Sequence, residues 1–322
     1  MKHDILVYYS LPSDLKKQLE TVFNVHYTKD LLGDLAQLKT VLPKIVGAIG
    51  FGVVMTDNLL AQMPKLKAIA TISAGFDHFN LTQLNQRQIR LMNTPDAVTN
   101  STADMIFSLV LATARQVAQM DQFVRNKQWV KSIGVAQMGV DVYQKNIGII
   151  GMGRIGRAVA KRAHLGFDMN VLYYSSHQHS DVETLYQADY CSLDTLLSAS
   201  DFVCVTLPLN TQTEKLINAE RLAKMKSSAI LINGGRGKVV DQEALITALK
   251  TKAIRAAGLD VYEEEPLPLD SALLTLDNVT LLPHIGGATK QTLYNMSKSA
   301  VENLIEAVCS TPKINWVNPE VG

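Results

Sequence analysis

Four short stretches from the middle of this 322-residue chain onward carry residue types that can do chemistry. Gly151-Met152-Gly153-Arg154-Ile155-Gly156 is a GxGxxG turn, directly after the apolar run Ile147–Ile150 and before a helical pattern through Ala158, Val159, Ala160 and Ala163. Between a strand and a helix, such a turn suits a dinucleotide. The first glycine allows a tight turn, the second a close approach to the pyrophosphate, and the third close helix–strand packing. The free N–H groups and positive end of the helix then face the phosphates. Further on come Arg236 within Gly234-Gly235-Arg236-Gly237, Glu265 closing the run Glu263-Glu264-Glu265 before Pro266, and His284 after Pro283. They lie just beyond the C-terminal ends of expected parallel strands or on loops leaving them, the edge where open α/β sheets bind ligands.

These three types together suit reduction of a 2-oxo acid. Its carboxylate needs a cationic, bidentate donor, and an arginine fork fits. Its carbonyl oxygen gains charge as hydride arrives, so a general acid near neutrality is needed, and histidine fits. A carboxylate behind the imidazole raises its pKa and fixes the ring. Arg236, His284 and Glu265 fill these roles in turn. Singly, each also has a structural reading: a turn cap, a core histidine, a solvated charge. Their order after a nucleotide motif favours the chemical one.

Cofactor choice is read at the end of the second strand, about 20 residues past the glycines, where NAD sites place an acidic residue on the ribose. Here the stretch is Tyr174-Ser175-Ser176-His177-Gln178-His179, with no carboxylate before Asp181. Hydroxyls and imidazoles accommodate a 2′-phosphate that a carboxylate would repel, which favours NADP(H). The arginine that often completes such a site is absent, so NAD(H) stays open as the alternative.

The elements that must hold these residues are read from apolar runs. Ile5–Tyr9, Ala48-Ile49 and Ile69–Ile72 read as buried strands, and Ser13–Phe23 as a helix with Ser13 as N-cap. After Thr99-Asn100-Ser101, the residues Ile106, Leu109, Val110, Thr113, Val117, Met120 and Phe123 share one helical face and predict a long crossover helix. Ile147–Ile150, Val171–Tyr174, Phe202–Thr206, Ala229–Ile232 and Val279–Leu282 supply a second parallel sheet. A helix over Thr289 to about Cys309 leads back to the first domain. The length itself suggests two domains.

Composition narrows the partners. Hydrophobic residues make up 47% and charged residues 19%, an ordinary globular balance. A net charge of +1 without a basic stripe gives no reason to expect nucleic acid or an anionic membrane. Met1–Ser10 has too short an apolar run to span a membrane and lacks a signal-peptide layout. Cys191, Cys204 and Cys309 are scattered, without metal-ligand spacing, and are expected as small core residues in a reducing, cytoplasmic setting.

The ordered motifs Gly151–Gly156, Gly234–Gly237, Gly258-Leu259-Asp260-Val261-Tyr262-Glu263-Glu264-Glu265-Pro266 and Pro283-His284-Ile285-Gly286 resemble those of the D-isomer-specific 2-hydroxyacid dehydrogenases. The resemblance covers essentially the whole chain. Within the family it is similar to the bacterial branch of glyoxylate and hydroxypyruvate reductases, also called 2-ketogluconate reductases. Tyr190-Cys191, Leu193–Leu197, Ser200–Cys204, Lys224–Ile230 and Val317-Asn318-Pro319 carry that nearer likeness.

The resemblance implies a Rossmann doubly wound domain, residues 100–287, inserted into a smaller flavodoxin-like substrate domain of residues 1–99 and 288–322. It implies reduction of glyoxylate, hydroxypyruvate or 2-ketogluconate to a D-2-hydroxy acid by a homodimer. It assigns Arg236 to the substrate, Glu265 to the histidine and His284 to the proton. Backbone N–H groups at Ala74 and Gly75 are implied for the substrate carboxylate. Cofactor contacts are implied for Arg154 and Ile155 with the glycines Gly151, Gly153 and Gly156, for Leu207, Pro208, Gly234 and Asp260, and near Ser175, Ser176 and His177. Two departures stand out. Relatives tend to carry arginine around Ser176-His177, and an aromatic residue near Gln137-Met138, in the segment that docks the dimer.

Three rivals are weaker. A phosphorylated substrate would call for basic side chains in Gly50–Asp57, where there are none. Formate oxidation is disfavoured by the retained Glu265. A dinucleotide-sensing corepressor has no need of a complete Arg236, Glu265 and His284 set.

Overall fold

The computed structural model describes residues 2–312 and 314–321. It divides into two compact units, residues 1–98 with 289–322, and residues 99–288.

The first unit holds five strands: β1 (Asp4–Val7), β2 (Asn24–Tyr27), β3 (Ile45–Gly50), β4 (Ala68–Thr71) and β5 (Arg90–Met92). All pairings are parallel, in the order β2-β1-β3-β4-β5. That is the flavodoxin-like order. Both faces are covered, which is why these runs are apolar at successive positions. Ile5, Val7, Ala68 and Ala70 pack with Leu15 and Leu19 of the helix Ser13–Val22 and with Met296, Ala300 and Leu304 of the helix Lys290–Cys309. Leu6, Ala48, Ile69 and Leu91 pack on the other face with Leu59, Leu60 and Leu84. Each such leucine contributes roughly 1.5–3 kcal/mol by leaving water.

The second unit holds seven strands: β6 (Asn146–Ile150), β7 (Asn170–Tyr174), β8 (Asp189–Tyr190), β9 (Phe202–Val205), β10 (Ile230–Asn233), β11 (Ala256–Leu259) and β12 (Val279–Leu281). They form one parallel sheet, β12-β11-β10-β9-β6-β7-β8. This is a doubly wound Rossmann order extended by one strand, with its switch point between β6 and β9. Alternate residues serve opposite faces. Phe202, Cys204, Ile230 and Ile232 pack beneath the helices Thr99–Ala114 and Arg154–Phe167. Val203, Val205 and Leu231 pack beneath Leu193–Ala199 and Gln242–Lys250.

Several expectations need correction. The long crossover helix is two helices, Thr99–Ala114 and Val117–Arg125, because Gln116 takes a left-handed φ of 54° that ends the first. Pro12, not Ser13, stands at the N-cap of the first helix. Its extended backbone (φ −53°, ψ 149°) leads in, its carbonyl accepts the Lys16 N–H, and no side chain caps. Strands β2, β5, β8 and β11 were not expected. Of the cysteines, Cys204 is buried, and burial pushes its thiol up to about 12, but Cys191 is half-buried and Cys309 is exposed at the end of a helix. Among the described residues, no helix is long and apolar enough to cross a membrane.

Candidate active site

The catalytic and cofactor candidates of the second unit lie at the C-terminal edge of its sheet. The glycine turn joins β6 to the helix Arg154–Phe167. Gly151 adopts a φ of +103°, a conformation that side chains rarely tolerate, and Thr206 Oγ1 donates to its carbonyl at 2.7 Å. A Cβ on Gly156 would stand 2.0 Å from the Gly151 carbonyl oxygen, so the helix can approach the turn only with glycine there. At Gly153, by contrast, a Cβ would meet no protein atom within 4 Å. The turn is thus packed on its protein side and open above the helix N-terminus, beside Arg154 and Ile155. That is the shape a pyrophosphate requires. Leu207 and Pro208 leave β9 beside it, with Leu207 3.0 Å from where a Gly151 Cβ would stand. The Gly234 amide donates to the Val205 carbonyl at 3.3 Å.

Beyond β7, the Ser175 hydroxyl donates to the His177 carbonyl and Ser176 Oγ lies 3.1 Å from His177 Nδ1. The His177 and His179 rings are 4.3 Å apart. Arg157, in the first helix after the glycines, reaches this loop. Its Nη2 donates to His179 Nδ1 at 2.8 Å and its Nη1 pairs with Asp181. The loop has no arginine of its own, and the cation arrives from a neighbouring helix.

His284 follows β12 with a φ of 54°, unusual for a residue with a side chain. Asp260, at the end of β11, holds this turn: its carboxylate accepts the Ile285 N–H at 2.7 Å and the Gly286 N–H at 2.9 Å. Ser101 Oγ donates to the Gly286 carbonyl at 2.8 Å. Burial pushes the Asp260 carboxyl up, against the pull of the two amides and of His284. His284 Nδ1 and Glu265 Oε2 are 2.5 Å apart, and Glu265 Oε1 accepts the Tyr262 N–H at 2.9 Å. The hydrogen bond to Glu265 raises the His284 pKa above its ordinary value, against burial and the charge of Arg236. For Glu265, burial favours the protonated form, but the bonds from His284 and Tyr262 and the charge of Arg236 prevail and lower its pKa. The ring is 48% exposed, and Nε2, the nitrogen not facing Glu265, remains for a reactant.

Arg236 follows β10 through Gly234-Gly235. Its Nη1 donates to the Gly235 carbonyl at 2.9 Å, and Asn233 Nδ2 donates to the Arg236 carbonyl at 3.0 Å. Asn233 Oδ1 also accepts the Gly235 N–H at 3.1 Å, so this buried residue ties the loop at both ends. Arg236, Glu265 and His284 therefore share one electrostatic neighbourhood. They can bind an anion, hold a proton on Nε2 and deliver it to an oxygen.

In the other unit, Ala74 and Gly75 lie on the loop after β4. Ser73 Oγ donates to the Gly75 carbonyl at 2.7 Å and Asn93 Nδ2 to the Ala74 carbonyl at 2.8 Å. Both carbonyls are held, which fixes the direction of the intervening peptides.

Asn233, Tyr262, Thr206 and Arg157 were not singled out from sequence. Tyr262 lies within the motif Gly258–Pro266 and Thr206 closes the expected strand Phe202–Thr206, but the sequence assigns neither a role.

A family model described as the NAD-binding domain of D-isomer-specific 2-hydroxyacid dehydrogenases matches residues 107–286. The chain is 50% identical over 322 residues to glyoxylate/hydroxypyruvate reductase B of Serratia proteamaculans, covering all of this chain and 99% of that one. It is 51% identical to the protein of the same name from Yersinia pestis, with the same coverage. Among solved structures, the NADPH-dependent glyoxylate/hydroxypyruvate reductase of Sinorhizobium meliloti, crystallised with NADP and malonate, superposes with a TM-score of 0.86. It is 29% identical, over 99% of this chain and 98% of that one.

Proposed function

Because this chain belongs to the D-isomer-specific 2-hydroxyacid dehydrogenase family, we propose that it uses NADPH to reduce glyoxylate and hydroxypyruvate to the corresponding D-2-hydroxy acids. The observation that carries the proposal is the 2.5 Å contact between His284 Nδ1 and Glu265 Oε2, within the field of Arg236. The names of the two half-identical relatives supply the substrates, and the Sinorhizobium structure supports NADP(H) as the preferred cofactor, with NAD(H) the alternative. The open turn at Gly153 and the carboxylate-free run Ser175–His179 fit that cofactor.

When bound, the nicotinamide supplies the hydride that attacks the carbonyl carbon. Arg236 binds the substrate carboxylate. His284 donates the Nε2 proton to the carbonyl oxygen as its charge develops, so one hydride and one proton convert C=O to CH–OH. Glu265 keeps the imidazole charged and fixes its plane, and Asp260 holds the turn that carries it. The amides of Ala74 and Gly75 are further donors proposed for the carboxylate. In this reading residues 100–287 form the dinucleotide-binding domain, which also carries Arg236, Glu265 and His284, and residues 1–99 with 288–322 form the substrate domain.

A homodimer belongs to the same proposal, supported by the exposed apolar side chains of Val124, Trp129, Val130, Val135 and Met138. So does a cytoplasmic location, supported by three free thiols.

The test is to follow oxidation of NADPH and of NADH by the purified protein with glyoxylate, hydroxypyruvate and 2-ketogluconate. Fast turnover of NADPH with either of the first two is expected. No oxidation of either cofactor with any of the three would refute the proposal.

A further inference from the structure

We propose that Arg157 selects NADP(H) over NAD(H), its guanidinium taking the place at the 2′-phosphate that the loop after β7 leaves without an arginine. The inference rests on the cofactor preference proposed above and assigns it to a residue outside that loop.

Arg157 is the fourth residue of the helix Arg154–Phe167, so it starts from the first turn beyond the glycines. Its side chain spans two loops. Nε donates to the Met152 carbonyl of the glycine turn at 3.3 Å, and Nη2 donates to His179 Nδ1 at 2.8 Å beyond β7. The adenosine ribose of a dinucleotide lies between those two loops, because the acidic residue of NAD sites stands at the end of the second strand. A cation fixed between them is therefore placed at the 2′ position.

The donor inventory supports this. A guanidinium has five N–H groups. One on Nε serves Met152, one on Nη2 serves His179, and one on Nη1 serves Asp181. One N–H remains on each terminal nitrogen, a pair suited to a bidentate phosphate contact. His179 acts as a neutral acceptor that sets the fork's orientation. Burial, together with the charges of Arg157 and His177, lowers its pKa, although Asp181 and Glu183 pull the other way. Asp181, 54% exposed, is a counter-ion that a dianionic phosphate can replace or share.

A purely structural tie between helix and loop would also place Arg157 on His179 and Asp181, so the test must separate tie from reader. Binding of adenosine 2′,5′-bisphosphate and of 5′-AMP, which differ in the 2′-phosphate, is measured by calorimetry for the wild type, Arg157→Gln, Arg157→Lys and Asp181→Asn. Wild type is expected to favour the bisphosphate. Losing a charge-assisted fork should weaken bisphosphate binding about 10- to 100-fold in Arg157→Gln, with 5′-AMP unaffected. Arg157→Lys should recover part of the loss and Asp181→Asn should bind the bisphosphate more tightly than wild type. The kcat/KM for NADPH should fall with bisphosphate affinity while that for NADH stays unchanged.

If Arg157→Gln retains wild-type discrimination, or weakens both ligands equally, Arg157 is a tie and the assignment falls, with the cofactor preference left standing. If the wild type binds both ligands alike, the preference and the assignment fall together.

Discussion

Glu265 is the residue whose contribution can be isolated most cleanly. The bond from its carboxylate to His284 raises the imidazole pKa, so the ring stays protonated to higher pH than an ordinary histidine near 6.5. Reduction needs that proton, so kcat/KM should be full at low pH and fall as pH rises through the raised value. In Glu265→Gln the bond loses its charge, and the alkaline fall should move to lower pH while its direction stays the same. Measuring kcat/KM for hydroxypyruvate against pH in both proteins checks this, because that ratio reports the free enzyme's essential groups. An alkaline limb at the same pH in both proteins would remove Glu265 from its assigned role. Arg236 and His284 were legible as candidates because they follow strand ends in order after a dinucleotide motif, although each alone could be a turn cap or a core histidine. Tyr262 and Thr206 were not, since one acts through its amide and the other through a hydroxyl on a backbone carbonyl.

At the scale of elements, the strands that announced themselves were those buried on both faces by branched side chains, such as Ile147–Ile150 and Phe202–Val205. Strand β11 was silent because Ala-Ala-Gly-Leu offers little hydrophobic signal. Its small residues have a packing cause: a Cβ on Gly258 would stand 2.7 Å from Thr113 Oγ1 of the helix above. Strand β8 has two residues at a sheet edge, too few for any period to show. The break at Gln116 was hidden because Val117, Met120 and Phe123 continue the helical spacing of the preceding segment. Yet none of the residues of Val117–Arg125 is buried, so the apolar pattern there marks a surface rather than a core. The reach of Arg157 to His179 was equally hidden, since 22 residues separate them and only the β6–helix–β7 crossover brings them together.

At the scale of the molecule, the doubly wound sheet sets the reactive edge, and the flavodoxin-like unit is completed by the chain's last helix. Both follow from the alternation of apolar runs and helices along the sequence. The exposed apolar face around Trp129, itself 63% exposed, and Val130 is expected to be covered by a second copy. Sedimentation velocity should find wild type as a dimer and Trp129→Glu combined with Val130→Glu as a monomer. A monomeric wild type at all concentrations would contradict that.

The central claim is that His284 delivers the proton in reduction of a 2-oxo acid, and one comparison tests it most directly. The kcat for hydroxypyruvate with NADPH is measured in wild type and in His284→Ala, with NADPH affinity followed separately by fluorescence titration. Loss of a general acid predicts a fall of about 10²- to 10⁴-fold in kcat with NADPH affinity unchanged. A His284→Ala protein that turns over at the wild-type rate would contradict the account.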